Sequence, residues 1–203
     1  MPRKIKNQFY IRNYYYDYAY IDNDTLQSEY FQFNKKKEGI YKLYHYNGQL
    51  REICNYVNNA KEGELKTYYS NGQLRYVCNY KHNKYEGKFI EYYKNGQVSF
   101  VQNYKNNKLD GVYKSYDENG NLELISNYKD GKKDGVYKSY YENGNLESIT
   151  NYKDDKKDGV YKVYSSDKQL VYTCKYKENI KHEYDKKKLV NILYNGNKYL
   201  TNQ

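Results

Sequence analysis

The chain has 203 residues, with 35 lysines and arginines against 25 carboxylates and a formal net charge of +10. Apolar residues make up 38%, but tyrosine accounts for 33 positions and mean hydropathy is −1.26. That excludes a thick aliphatic core and a membrane-spanning helix, and the basic excess favours anionic partners such as membrane surfaces, nucleic acids or acidic proteins.

The first residues, Met1-Pro2-Arg3-Lys4-Ile5-Lys6-Asn7, lead into tyrosines rather than an apolar run. No signal peptide is expected, and an intracellular, cytoplasmic location follows, peripheral to membranes at most. Residues 1–37 carry a degenerate capping repeat, in which Tyr20, Asn23-Asp24 and Leu26 anticipate positions that recur 24 residues later. Residues 38–182 hold six repeats of 24 residues. Gly39, Gly63, Gly87, Gly111, Gly135 and Gly159 mark them, and an Asn-Gly pair follows in the first five, ending at Gly48, Gly72, Gly96, Gly120 and Gly144. Leu50, Leu74, Val98, Leu122, Leu146 and Leu170 come next, then Tyr56, Tyr80, Tyr104, Tyr128, Tyr152 and Tyr176. A fixed period of this length marks stacked repeats, and disordered chains need no such register. Residues 183–203 contain Asp185-Lys186-Lys187-Lys188-Leu189 and Leu193-Tyr194-Asn195-Gly196, a shortened copy expected to cap the array.

Within a repeat, Val136-Tyr137-Lys138-Ser139-Tyr140-Tyr141 and Leu146-Glu147-Ser148-Ile149-Thr150-Asn151-Tyr152 read as two strands. The Asn143-Gly144 between them predicts a two-residue type I′ turn, which sets Leu146 opposite Tyr141. A polar loop, Lys153-Asp154-Asp155-Lys156-Lys157-Asp158-Gly159, then returns the chain. The expected fold is all-β: an elongated single-sheet array of serial antiparallel hairpins with degenerate terminal repeats. Tyr137 and Tyr140 would lie on opposite strand faces, so either both faces carry aromatics or a bulge re-aims one.

Asp134-Gly135-Val136-Tyr137-Lys138-Ser139-Tyr140-Tyr141-Glu142-Asn143-Gly144-Asn145-Leu146, with Asn127-Tyr128-Lys129-Asp130-Gly131-Lys132, resembles the MORN repeats, in the variant form of bacterial antitoxin-like proteins. The resemblance spans about residues 38–178. It implies serial hairpins in an elongated, twisted or curved sheet, and binding or scaffolding rather than chemistry, with protein or anionic phospholipid as partner. The chain departs from the pattern in carrying Tyr or Phe for Trp, and Ser166-Asp167-Lys168 where the sixth Asn-Gly belongs.

Chemistry-bearing residues do not converge in this register. Cys54, Cys78 and Cys174 share one repeat position, and equivalent positions in neighbouring repeats are roughly 10 Å apart, too far for a disulfide or a zinc site. His45, His82 and His182 fall at unrelated positions, expected in strand, loop and loop end. Glu38, Glu62, Glu86, Asp110, Asp134 and Asp158 precede the repeat glycine, where a carboxylate can accept local turn hydrogen bonds. No catalytic, cofactor-binding or metal-binding residue is expected. The candidate binding surface combines Lys42, Lys66, Lys114, Lys138 and Lys162, with Ile90 interrupting the row, and Tyr44, Tyr68, Tyr92, Tyr116, Tyr140 and Tyr164. The reading is a non-catalytic scaffold for an unidentified protein partner, with peripheral binding to anionic membranes as the alternative and nucleic acid disfavoured.

Overall fold

The structure, a computed structural model, describes residues 14–20 and 26–182. The expected cap elements at Asn23-Asp24 and in residues 183–203 lie outside the described residues. The described residues form nineteen strands and no helix, and every pairing is antiparallel. The chain divides into two compact units. One runs to Leu109 and takes in the loop tip Glu118–Gly120; the other holds Asp110–Asp117 and the chain from Asn121 onward.

In the first unit β1 (Tyr14–Tyr20) and β2 (Leu26–Phe33) form a hairpin, followed by β3 (Lys36–Tyr44) and β4 (Leu50–Val57). The two-residue β5 (Ala60–Lys61) leads into β6 (Gly63–Tyr68) and β7 (Leu74–Lys81). In the same way β8 (Lys84–Tyr85) leads into β9 (Gly87–Tyr92) and β10 (Val98–Lys105), with β11 (Lys108–Leu109) pairing back on β10. In the second unit β12 (Gly111–Tyr116) pairs with β13 (Leu122–Lys129), and β14 (Lys132–Tyr140) with β15 (Leu146–Lys153). After β16 (Lys156–Lys157), β17 (Gly159–Tyr164) pairs with β18 (Leu170–Lys177), and β18 with β19 (Ile180–His182).

The two kinds of connection exchange the roles that the sequence suggests. The tight two-residue turns occupy the polar segments, where Asn58-Asn59, His82-Asn83, Asn106-Asn107, Asp154-Asp155 and Glu178-Asn179 all have positive φ at both positions. These are the angles of a type I′ turn, and Asn and Asp reach them at the lowest cost among non-glycine residues. The Asn-Gly segments instead form three-residue loops. Tyr69 N–H donates to the Gln73 carbonyl (2.8 Å) and Gly72 N–H to the Tyr69 carbonyl (2.9 Å), with φ +84° at Gly72. That is a type I turn closed by one left-handed residue, so Asn71 keeps a negative φ and the glycine alone needs the unusual conformation. The longer loop removes the expected pairing of Leu146 with Tyr141; Leu146 lies opposite Tyr140. The sixth loop keeps the same geometry without glycine: Lys168 takes the left-handed position at φ +71°, and its N–H donates to the Ser165 carbonyl (2.9 Å).

Each hairpin also contains a bulge beside this loop. Ser139 lies opposite Ser148 while the next residue, Tyr140, lies opposite Leu146, which leaves Glu147 as the extra residue. The same shift leaves Gln27, Arg51, Arg75, Ser99, Glu123 and Val171 extra in the other hairpins. Aromatics occupy both faces. Tyr41, Tyr56, Tyr76, Tyr80, Tyr85, Phe100 and Tyr104 pack around a buried cluster of Cys54, Leu65, Cys78 and Phe89 in the first unit. The tyrosines of the Tyr44 position lie with the Lys42 position on the opposite face. Tyr44 Oη and Lys42 Nζ both reach the Glu29 carboxylate, at 2.7 and 2.6 Å.

Candidate functional site

The face bearing the candidate lysines is built by simple alternation: Lys42 lies opposite Ile53, Lys66 opposite Val77, Lys114 opposite Ile125, Lys138 opposite Ile149 and Lys162 opposite Thr173. Position 90 carries isoleucine, opposite Val101. Within the first unit the two lysines are paired, Lys42 with Glu29 and Lys66 with Glu64 at 2.6 Å each. The Glu64 carboxylate raises the Lys66 ammonium above its ordinary pKa, first through its hydrogen bond and then through its charge. Tyr68 and Lys66 share a shallow depression of about 280 Å³ with Ile40 and Ile53. In the second unit Lys114, Lys138 and Lys162 make no ion pair among the described residues. Beside them lie Val112 (40% exposed) and Val160 (36%). Tyr92, Tyr116, Tyr140 and Tyr164 end the strands equivalent to those that Tyr44 and Tyr68 end, each half-buried.

The opposite face holds a second lysine column. Lys37 Nζ sits over three rings, 4.9 Å from the centroid of Tyr30, 4.4 Å from Tyr41 and 5.1 Å from Tyr56. Lys133 lies over Tyr137 and Tyr152 at 5.1 and 5.3 Å, and Lys157 over Tyr161 and Tyr176 at 4.7 and 5.1 Å. Lys61 covers Tyr80 at 5.3 Å and also bonds Glu52 at 2.9 Å. Burial works against the Lys61 charge, but the Glu52 carboxylate outweighs it and holds the ammonium above its ordinary pKa. Each such cation–ring contact contributes about 0.5–1 kcal/mol at a half-exposed position. The sequence carries the signal as lysine at positions 37, 61, 133, 157 and 181, with Tyr85 and Leu109 between. It was missed because those lysines stand in polar segments read as loops, and the turn geometry returns them to the sheet.

Hydrogen bonds link successive repeats along both edges. At the turn edge the Asn59 Oδ1 accepts from Lys37 N–H (2.6 Å), Asn83 Oδ1 from Lys61 N–H (2.7 Å) and Asp155 Oδ1 from Lys133 N–H (2.7 Å). The carboxylates before the repeat glycines bond the tight turn at the far end of their own repeat rather than the turn they follow: Glu38 accepts from Asn58 N–H (2.8 Å) and Glu62 from His82 N–H (2.8 Å). At the loop edge Tyr69 Oη donates to the Tyr92 carbonyl (2.7 Å) and Tyr141 Oη to the Tyr164 carbonyl (2.8 Å). His45 stands at the first loop position rather than in the strand, and its Nε2 lies 2.9 Å from the Tyr68 carbonyl. One repeat glycine is held by packing as well as by its φ of +111°: a Cβ on Gly135 would meet Asn127 at 3.0 Å.

Cys54, Cys78 and Cys174 are free, buried thiols. Burial pushes Cys54 and Cys78 up to about 12, so neither is a thiolate near neutrality. Among the described residues no group of His, Cys, Asp and Glu could hold a metal ion, and no helix is long and apolar enough to cross a membrane.

No curated protein matches the chain. Among solved structures, it is similar to a chain of the crystal structure of the GtfA/B complex bound to UDP and GlcNAc, at 11% identity and a TM-score of 0.25. That alignment covers 74% of this chain and 27% of the other, so this chain spans about a quarter of the length of the protein it aligns with. The model of the MORN repeat variant matches residues 37–58, 61–82, 85–106, 109–130, 133–154 and 157–178. These matches recur in step with the bulges, the loops and the lysine columns described above. With most of its length matched, the chain belongs to the MORN repeat variant family.

Proposed function

We propose that this chain is a non-catalytic repeat scaffold that binds a protein partner through the face carrying Lys42, Lys66, Lys114, Lys138 and Lys162 with Tyr44, Tyr68, Tyr92, Tyr116, Tyr140 and Tyr164. The observation that carries this reading is the contrast between the two lysine columns. Lysines of the opposite face lie over tyrosine rings of their own chain. Lys114, Lys138 and Lys162 have no ionic partner among the described residues, beside exposed valines and half-buried tyrosines. Such a surface suits an acidic protein with apolar contacts at its centre. The same contrast argues against stacked single-stranded nucleic acid, because many of the rings of the opposite face already carry a lysine. The family is generally one of binding modules, which supports this reading. The antitoxin-like resemblance makes a toxin one class of partner to include, and an intracellular site of action fits the free thiols.

Capture of proteins from a lysate of the source cells, with wild type beside Lys114→Glu/Lys138→Glu/Lys162→Glu, tests this. A partner retained by wild type at physiological salt and lost by the triple variant supports the reading. Equal retention by both overturns it. The exposed Val112 and Val160 beside the unpaired lysines favour one second reading, shallow docking on anionic phospholipid, where each lysine near the surface contributes on the order of 1 kcal/mol. Flotation with phosphatidylserine liposomes separates the two, because only the lipid reading predicts salt-sensitive binding without any protein.

A further inference from the structure

Five of the six loops carry an Asn-Gly pair. In this dipeptide an asparagine side chain closes most readily on the following backbone nitrogen, because glycine has no side chain to crowd the approach. The loops of Asn47, Asn71, Asn95 and Asn143 share their local bonds. In each, the glycine N–H donates to the carbonyl that opens the loop, at 2.8–3.0 Å. The asparagine Oδ1 accepts from the N–H two residues on, at 2.9–3.2 Å. All four asparagines are exposed.

They differ at the amide nitrogen. Asn47 Nδ2 donates to the Ser70 carbonyl (2.7 Å), Asn95 Nδ2 to the Glu118 carbonyl (2.6 Å) and Asn143 Nδ2 to the Ser166 carbonyl (3.0 Å), so each is tied to the following loop. The equivalent carbonyl for Asn71 is that of Lys94, and no bond joins them. Asn71 Nδ2 has only a long 3.4 Å contact with Gln73 Oε1 in its own loop. The glutamines change in step. Gln49 and Gln97 lay Oε1 against the glycine of the next loop, 3.3 and 3.1 Å from where a Cβ on Gly72 or Gly120 would stand, whereas nothing comes within 4 Å of that point at Gly96. Gln73 has turned back to Asn71 instead. Asn71 is therefore held by one firm bond where the other three are held by two.

We propose that Asn71 is a site of self-modification, converting to aspartate or isoaspartate ahead of Asn47, Asn95 and Asn143. The Gly72 nitrogen gives its proton to hydroxide and attacks Asn71 Cγ. The tetrahedral oxyanion collapses, Nδ2 takes a proton from water and leaves as ammonia, and hydroxide is regenerated with a succinimide closed. Water then adds to either imide carbonyl and opens the ring, so no oxidant, reductant or cofactor enters. To reach the glycine nitrogen, the side chain leaves its Oδ1 bond in all four loops, and a second bond in the other three. Arg75 and Lys94 each lie 6.0 Å over Tyr69, which opens the Asn71 loop, and their charge favours the anionic intermediate. The product exchanges a neutral amide for a carboxylate in a chain of formal net charge +10, and isoaspartate also adds a methylene to the backbone of the three-residue loop. None of this depends on what the lysine face binds.

Holding the folded full chain at mildly alkaline pH, with aliquots cut by pepsin in acid and the peptides weighed by mass spectrometry, tests the proposal at each asparagine separately. Unchanged β-sheet circular dichroism through the incubation keeps the comparison on the folded chain. Asn71 is expected to convert about three- to tenfold faster than each of Asn47, Asn95 and Asn143, the factor that one further hydrogen bond of ordinary net strength imposes. In denaturant the four should convert at similar rates, because each is then an unrestrained Asn-Gly. Asn71 converting no faster than the other three in the folded chain overturns the proposal. The same lead persisting in denaturant overturns it too, because the preference would then belong to the local sequence and not to the bonds between loops.

Discussion

The two units are made from the same hairpin, with the same bulge and the same pair of turns, but they fill the tyrosine face differently. In the first, Leu65 and Phe89 are buried against Cys54 and Cys78, and Phe89 stacks on Tyr76 (5.1 Å) and Phe100 (5.6 Å). In the second, the positions of Leu65 and Phe89 carry Tyr113, Tyr137 and Tyr161, while Ser126, Ser148, Thr150, Thr173 and Cys174 are buried. Lys133 and Lys157 cover Tyr137 and Tyr161 there, as Lys37 covers Tyr41 in the first unit, which has the apolar cluster in addition. The backbone repeat therefore fixes where side chains point, and leaves open whether apolar packing or a cation over a ring holds the face together.

The sharpest way to break this comparison is Phe89→Ala. It removes a buried ring from a stacked group, and a loss of about 3–4 kcal/mol is expected in chemical denaturation followed by tyrosine fluorescence. Hydrogen exchange should show the loss concentrated in β6 to β10. A cost below about 1 kcal/mol would mean that the first unit has no aromatic core in the energetic sense.

Alkaline pH should also act on the first unit through Cys54 and Cys78. Their folded pKa is near 12 against an ordinary 9.0, so the unfolded chain gives up these protons first. Their contribution is full below pH 9 and declines as pH rises from there through about 12. Burial also raises several tyrosines, Tyr41, Tyr76 and Tyr104 among them, which steepens the decline above about pH 10. Denaturation midpoints across that range check the sign. Cys54→Ser/Cys78→Ser removes the thiol titrations and should flatten the limb beginning near pH 9.

In the second unit the buried Thr150 hydroxyl has no hydrogen-bond partner among the described residues, so Thr150→Val is expected to stabilise by about 1 kcal/mol. A destabilisation there would show that the hydroxyl is satisfied in solution. Lys168→Gly relieves a left-handed lysine in the sixth loop and should raise stability by about 0.5–1 kcal/mol, read as a higher Tm. The smallest effect expected is a loss of about 0.5 kcal/mol for Lys133→Met, which keeps the stem and removes the charge over Tyr137 and Tyr152. If Lys133→Met costs as much as Phe89→Ala, the distinction between the two units fails.

Much of this was legible before any coordinates. A 24-residue period, the Asn-Gly pairs and alternating aromatics determine an all-β chain of serial antiparallel hairpins, because short segments interrupted by glycine cannot nucleate helices and tyrosine at strand spacing buries well. The one-per-repeat spacing of Cys54, Cys78 and Cys174 likewise determined that they cannot bridge. The tertiary structure alone decided which turn was tight. Asn-Gly and Asn-Asn both tolerate positive φ, and the choice falls to the pairing register: a three-residue loop and a bulge bring Leu146 opposite Tyr140. That single residue of slack decided the rest. It set Arg75 over Tyr69 and Tyr76, while the tight turns brought Lys37, Lys133 and Lys157 over their rings. It also kept Lys42 and Tyr44 together on the other face. Local sequence names the residues able to turn, but cross-strand register, a property of pairs far apart in the chain, chooses the face each side chain occupies.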